Sequence, residues 1–166
     1  MEAGKVDEKN KVLVAIDESE HSHYALQWAL ENLEHSIIRD SKLILFSVIS
    51  IEDLGYTYAS SFGAALSFTA PELILSIQEN QKKVKLAILE KAKETCAQHG
   101  VVAETQTEFG NPKEAICEAV EKLNVQLLVL GSHSRGALQR AFLGSVSNYC
   151  VHHANCTVLV VKKPRQ

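Results

Sequence analysis

Lys11-Val-Leu-Val-Ala-Ile-Asp17 is an unbroken apolar run of five residues that stops at an acid. A strand with one wet face alternates apolar and polar side chains; a strand covered on both faces does not. The run therefore predicts an inner strand of a parallel sheet, and a parallel neighbour requires a crossover helix. The chain supplies one. Glu18-Ser19-Glu20 offers a helix start, and Tyr24, Ala25, Trp28, Ala29 and Leu33 follow at helical spacing. Lys42-Leu-Ile-Leu-Phe-Ser-Val48 then repeats the strand signal.

The rhythm continues to the end of the chain. Residues 77–98 carry Ile77, Val84, Ile88, Leu89, Ala92 and Cys96 among charges, an amphipathic helix closed by Gly100. Val101 to Phe109 alternates like a strand, and Gly110-Asn111-Pro112 breaks it, with Pro112 fit for a first helical turn. Ala115, Ile116, Ala119, Val120 and Leu123 make the next helical face. Val125 to Leu130 reads as a strand, about Leu138 to His152 as a helix, and Thr157 to Val161 as the last strand. Five strands alternating with four helices predict one α/β domain, a parallel sheet covered on both faces by right-handed crossovers. Residues 1–9 are expected to be a flexible lead, and 10–164 the domain. Its one irregular stretch is a long excursion over 50–76, which holds Tyr56, Tyr58, Phe62 and Phe68, four of ten aromatics. Such a loop reads as packing over the helical layer, as a lid over a ligand, or as a partner surface.

Composition narrows the function. The chain has 166 residues, 46% apolar and 22% charged, enough to bury a core. Lys and Arg number 17 against 20 Asp and Glu, a formal charge of −3, which argues against a phosphate-neutralising nucleic-acid binder and a polybasic membrane anchor. The charged N-terminus shows no apolar leader, and the apolar stretch Leu54 to Leu75 is broken by Pro71 and Glu72, so neither a signal peptide nor a membrane span is expected. Cys96, Cys117, Cys150 and Cys156 lack a short paired spacing and read as free thiols in a reducing, cytoplasmic compartment.

In an open parallel sheet, ligands sit beyond the carboxyl ends of the strands where the strand order reverses. Two strand ends are equipped for this. The first ends in Ala15-Ile16-Asp17, and Asp17 could accept hydrogen bonds from ribose hydroxyls or an adenine amino group. The fourth ends in Gly131-Ser-His-Ser-Arg-Gly136, followed at some distance by Gly144-Ser145-Val146-Ser147. Glycines at a strand-to-helix turn let backbone N–H groups approach an anion, and the helix dipole favours it. Arg135 and Arg140 could add charge. Two nucleotide motifs do not apply: Gly131 and Gly136 have P-loop spacing, but Ala137 and Leu138 stand where Lys and Ser or Thr are required, and G-x-G-x-x-G is absent. Gly136 also reads simply as a turn residue.

Val14-Ala-Ile-Asp17-Glu-Ser19, Gly131-x2-Ser134-x9-Gly144-Ser145 and the closing run Asn148 to Pro164 together resemble the universal stress protein family, in particular its small, single-domain plant members. The resemblance spans about Lys11 to Pro164. It implies a five-stranded parallel sheet in the order 3-2-1-4-5 and an adenine nucleotide site for ATP or AMP, with Mg²⁺ on the phosphates where ATP is bound. In that reading Ala15, Ile16 and Asp17 meet the nucleoside and Val48 lines the adenine slot. Leu130, Gly131 and His133 flank the ribose and first phosphate, and Gly144, Ser145, Val146 and Ser147 hold the polyphosphate. It also implies a homodimer through the last strand, Thr157 to Val161. One position departs from the family's G-x2-G-x9-G-[ST] pattern: Ser134 stands at the second glycine. At positive φ a serine there costs roughly 1 kcal/mol or more; at negative φ its hydroxyl can donate to the ligand.

Other chemistry is poorly supported by spacing. His21, His23, His152 and His153 do not fall at structural-zinc spacing, and Cys150-x5-Cys156 is too wide. Ser132, Ser134 and Ser145 lie near His133 in sequence, but no orienting acid completes a triad. The thiols read as packing rather than redox sensors. The expected function is a nucleotide-binding regulatory module of a stress response acting as a homodimer, non-catalytic or at most a very slow ATPase. The alternative is a chaperone-like interaction protein whose nucleotide site is degenerate at Ser134.

Overall fold

A computed structural model describes residues 8–50, 71–133 and 143–165. Its strands are β1 (Asn10–Ala15), β2 (Ser41–Ile49), β3 (Ala103–Phe109), β4 (Leu127–Gly131) and β5 (Thr157–Val161). The helices between them are α1 (Glu20–Leu33), α2 (Pro71–Gln98), α3 (Pro112–Lys122) and α4 (Ser145–His153). All strand pairs are parallel, as the alternation of strands and helices predicts, and the order is β3-β2-β1-β4-β5, as the family resemblance implies. β1 lies between β2 and β4, so the crossover direction reverses there.

Each face of the sheet carries its own core. Val12, Val14, Leu43, Leu45 and Val129 point to the side covered by α1 and α2, where Ala25, Leu26, Leu30, Leu89 and Cys96 are buried. Leu13, Phe46, Val48, Leu128 and Leu130 point to the side covered by α3 and α4, against Ile116, Ala119, Val120 and Cys150. Period-two side-chain geometry sends successive residues of an all-apolar strand to opposite faces, which is why β1 needs no polar positions.

Several element ends differ from the sequence reading. α2 begins at Pro71, six residues before the periodic pattern, and takes residues 71–76 out of the irregular stretch. Pro71 fits a first helical turn as Pro112 does, but Ile74 and Leu75 beside it are half exposed or more and give no buried stripe to read. α1 runs into a π-helical turn, Glu34–Ile38, where a simple polar turn is expected. β3 begins two residues later than read, at Ala103. The helix read from about Leu138 to His152 starts at Ser145 instead, after Gly144 in extended backbone; residues 134–142 lie outside the described residues. Gly100 closes α2 as expected: its φ of 71° is left-handed, and the following Val101 N–H returns to the Cys96 carbonyl (2.9 Å). Among the described residues, no helix is long and apolar enough to cross a membrane.

Candidate functional site

β1 carries the chain out of the sheet at Ile16, whose N–H still bonds the Phe46 carbonyl (2.8 Å), and Asp17 is the first residue beyond the ladder. The turn that follows is held by its own side chains. One Asp17 carboxylate oxygen, Oδ1, accepts the Ser19 N–H (2.9 Å) and the Ser19 hydroxyl. Ser22 Oγ accepts the Asp17 N–H (3.1 Å) and directs its proton at the Asp17 and Ser19 carbonyls. This pattern explains why Asp, Ser and Ser fall at 17, 19 and 22: short polar side chains replace the missing ladder and launch α1. It also fixes the Asp17 carboxylate, whose second oxygen has no bond among the described residues.

β4 ends beside it. Gly131 lies where α1 crosses: a Cβ there would sit 2.7 Å from both the backbone carbon and oxygen of His21. Glycine at this position is thus required by helix-on-strand packing, a reason the sequence alone does not give. Ser132 extends the β4–β5 ladder through its N–H to Val161 (3.0 Å), and its carbonyl accepts the Gly144 N–H (2.7 Å) and the buried Ser147 hydroxyl (2.9 Å). These two bonds anchor the first turn of α4 to the end of β4. The first intrahelical bond of α4 runs from the Asn148 N–H to the Gly144 carbonyl (3.0 Å). The N–H groups of Ser145, Val146 and Ser147 therefore have no helical acceptor and lie at the positive end of the helix.

Between these strand ends lies a cleft of about 390 Å³, within the range of small-molecule sites. Its apolar wall is Ala15, Ile16, Phe46, Val48, Ile116 and Leu130. Asp17, Gly131, His133, Ser145, Val146 and Ser147 line the polar side. Gly144 is buried behind them as the cap of α4. Ser134 and Arg135 lie outside the described residues, as does Arg140.

The sequence reading missed several lining residues. Lys85 of α2 reaches the cleft and pairs with Glu18 at 2.7 Å; its side chain is only 3% exposed. Lys85 stands four residues before Leu89 and seven before Ala92, on the buried stripe of α2, and that spacing is the signal that could have found it. Asn111 and Lys113 enter from the start of α3, where Asn111 caps the helix by position without a side-chain cap bond. The breaker Gly110-Asn111-Pro112 is the signal that could have pointed there. The sequence reading names His133, which lines the cleft, but not its partner. The His133 and His21 rings meet edge to face at 5.3 Å, and each has a buried Nδ1 without a hydrogen bond among the described residues. Among the described residues, no three His, Cys, Asp or Glu side chains group as a metal site.

Comparison with known proteins agrees with this architecture. The family model for the universal stress protein family matches residues 9–162. A universal stress protein A-like protein of Arabidopsis thaliana is 31% identical over 165 residues, covering 94% of this chain and 91% of its own. In structure, the hypothetical protein MJ0577 superposes with a TM-score of 0.76 at 22% identity, covering 96% of this chain and 99% of that one, a likeness of fold. A universal stress protein family protein of Arabidopsis thaliana, solved with AMP bound, has a TM-score of 0.64 at 28% identity, with 93% and 92% of the two chains covered. On the extent of these matches and the shared strand order, the chain belongs to the universal stress protein family.

Proposed function

We propose that the cleft between the ends of β1 and β4 binds an adenine nucleotide, ATP or AMP, and that the protein is a homodimeric regulatory module of a stress response rather than a catalyst. The observation that carries this reading is the opposition of two prepared groups. On one wall Asp17 presents a fixed carboxylate, one oxygen of which has no bond among the described residues, suited to ribose hydroxyls or an exocyclic amine. On the other the first turn of α4 presents N–H groups without acceptors among the described residues, suited to phosphate. The AMP bound to the Arabidopsis relative supports the same ligand class.

Within this reading Val48 and Ile116 border the base, and Leu130 and Gly131 border the ribose. His133, whose Nδ1 has no hydrogen bond among the described residues, supplies a polar contact to the first phosphate. Gly144 allows close approach to the polyphosphate. Ser145, exposed at the start of α4, can meet phosphate or the waters of a phosphate-bound Mg²⁺. The Ser147 hydroxyl already donates to the Ser132 and Gly144 carbonyls, so its share is its N–H. Ser134 and Arg135 complete the phosphate side. The sequence offers no dedicated base beyond His133 or Asp17, and on that ground binding without rapid turnover is the favoured reading.

Calorimetry with ATP and AMP, with and without Mg²⁺, tests this on the natural chain and on Asp17→Ala and Ser134→Gly. The expected result is micromolar binding that falls at least tenfold in Asp17→Ala, with phosphate release no faster than a protein-free blank. No binding by the natural chain, restored by Ser134→Gly, would assign a degenerate site and leave the chaperone-like interaction role.

A further inference from the structure

We infer that Cys117 and Cys150 form an intramolecular disulfide on oxidation, clamping α3 to α4 behind the cleft. Cys117 lies in the middle of α3 and Cys150 in α4, and the Cys117 thiol is directed at the Cys150 sulfur 3.8 Å away. A disulfide needs about 2.05 Å between sulfurs, so each has roughly 0.9 Å to travel. Cys96 belongs to the other core, across the sheet. Cys156 shares this core, but its thiol is directed at the Thr157 carbonyl (3.3 Å).

The two thiols have unequal roles. Cys150 is fully buried, whereas Cys117 is only partly so and can meet a small oxidant. Burial raises both above the usual thiol range, and the Cys150 S–H bond partly offsets this for the Cys117 thiolate. Hydrogen peroxide is the co-reactant. The Cys117 thiolate attacks one peroxide oxygen, the O–O bond breaks, and with one proton taken up the products are a sulfenic acid and water. The Cys150 thiol then attacks that sulfur, the S–O bond breaks, and a second water leaves with the thiol proton. Two thiols lose two electrons and one peroxide becomes two waters.

Position gives the bond a consequence. Cys150 is five residues from Ser145 on a nine-residue helix, so the pair holds the helix whose first turn borders the cleft. Its sulfur also lies 3.9 Å from the carbonyl of Lys113, a lining residue of the facing wall. The staple therefore fixes the spacing of two walls; any effect on nucleotide rests on the function proposed above.

The test is peroxide treatment of the full chain, followed by intact mass and non-reducing peptide mapping. Expected are the loss of two hydrogen masses, a linked peptide pair containing Cys117 and Cys150, and a melting temperature raised by roughly 5 °C or more that dithiothreitol reverses. Cys117→Ser should abolish all three changes, and Cys156→Ser none. A Cys117–Cys156 link, a link between two chains, or Cys117 driven to sulfinic acid beside a free Cys150 would overturn the inference. AMP titration of the reduced and oxidised forms is read separately. Failure of AMP to bind either form counts against the nucleotide site, while the mapping still decides the disulfide.

Discussion

Asp17 and Gly131 show how differently two residues of one site are written in the chain. Asp17 is legible because an acid ending an apolar strand is a visible break, and its reach into the cleft follows from that position. Gly131 is visible as a glycine, but its reason is three-dimensional: the His21 backbone occupies the space a side chain would need. The two nearest contacts there are to backbone, which cannot swing aside. Gly131→Ala should therefore destabilise the fold by about 1–3 kcal/mol, read as a shift in the urea midpoint at constant slope. Lys85 went unread because a lysine is taken for a solvated residue. Its spacing from Leu89, Ala92 and Cys96 puts it on the buried stripe of α2, where it meets Glu18. Glu18→Gln should cost about 1–3 kcal/mol, because it removes the countercharge from a buried ammonium while Glu18 itself is partly solvated. Urea denaturation of Glu18→Gln beside the exposed-site control Glu104→Gln checks this.

At the scale of elements, the inner strands were legible throughout, while the starts of α2 and α4 were not. β1, β2 and β4 are buried on both faces, so their composition alone identifies them. α2 starts earlier than its periodicity because its first turns carry exposed Ile74 and Leu75, and a helix with no buried stripe leaves no periodic signal. α4 is short, nine residues, and depends on its tether to β4 more than on propensity. Removing that tether is a direct test. Ser147→Ala deletes the hydroxyl that bonds the Ser132 carbonyl and should cost about 1–2 kcal/mol. Hydrogen exchange should show faster exchange in α4 than in α1. Equal protection in variant and natural chain would mean that α4 is held by its apolar face alone.

For the whole molecule, the strand order follows from strands alternating with helices, together with the family pattern at the two strand ends. Alternation alone leaves several orders open; the reversal between β1 and β4 is what gives the sheet a crevice. β5 lies at the edge. The Val161 carbonyl bonds inward to Ser132, so by alternation the backbone groups of Val158 and Val160 face outward. If pairing of chains runs through this edge, Val160→Pro removes one outward donor and should convert a dimer to a folded monomer in sedimentation velocity. Thiol burial sets an alkaline limit as well. Desolvation pushes the Cys96 thiol up to about 11 from an ordinary 9.0, so the fold favours the protonated form. That contribution is intact below pH 9 and is lost as pH rises from about 9 to 11. The melting temperature should fall across this window, and less steeply in Cys96→Ala.

The most direct measurement of the central claim is an amide-resolved NMR titration of the natural chain with AMP. The account predicts the largest shifts at Ile16, Asp17, Gly131 and Ser145 to Ser147, around the two strand ends that border the cleft. Shifts confined to α2 or to the free edge of β3, or none at millimolar AMP, would contradict it.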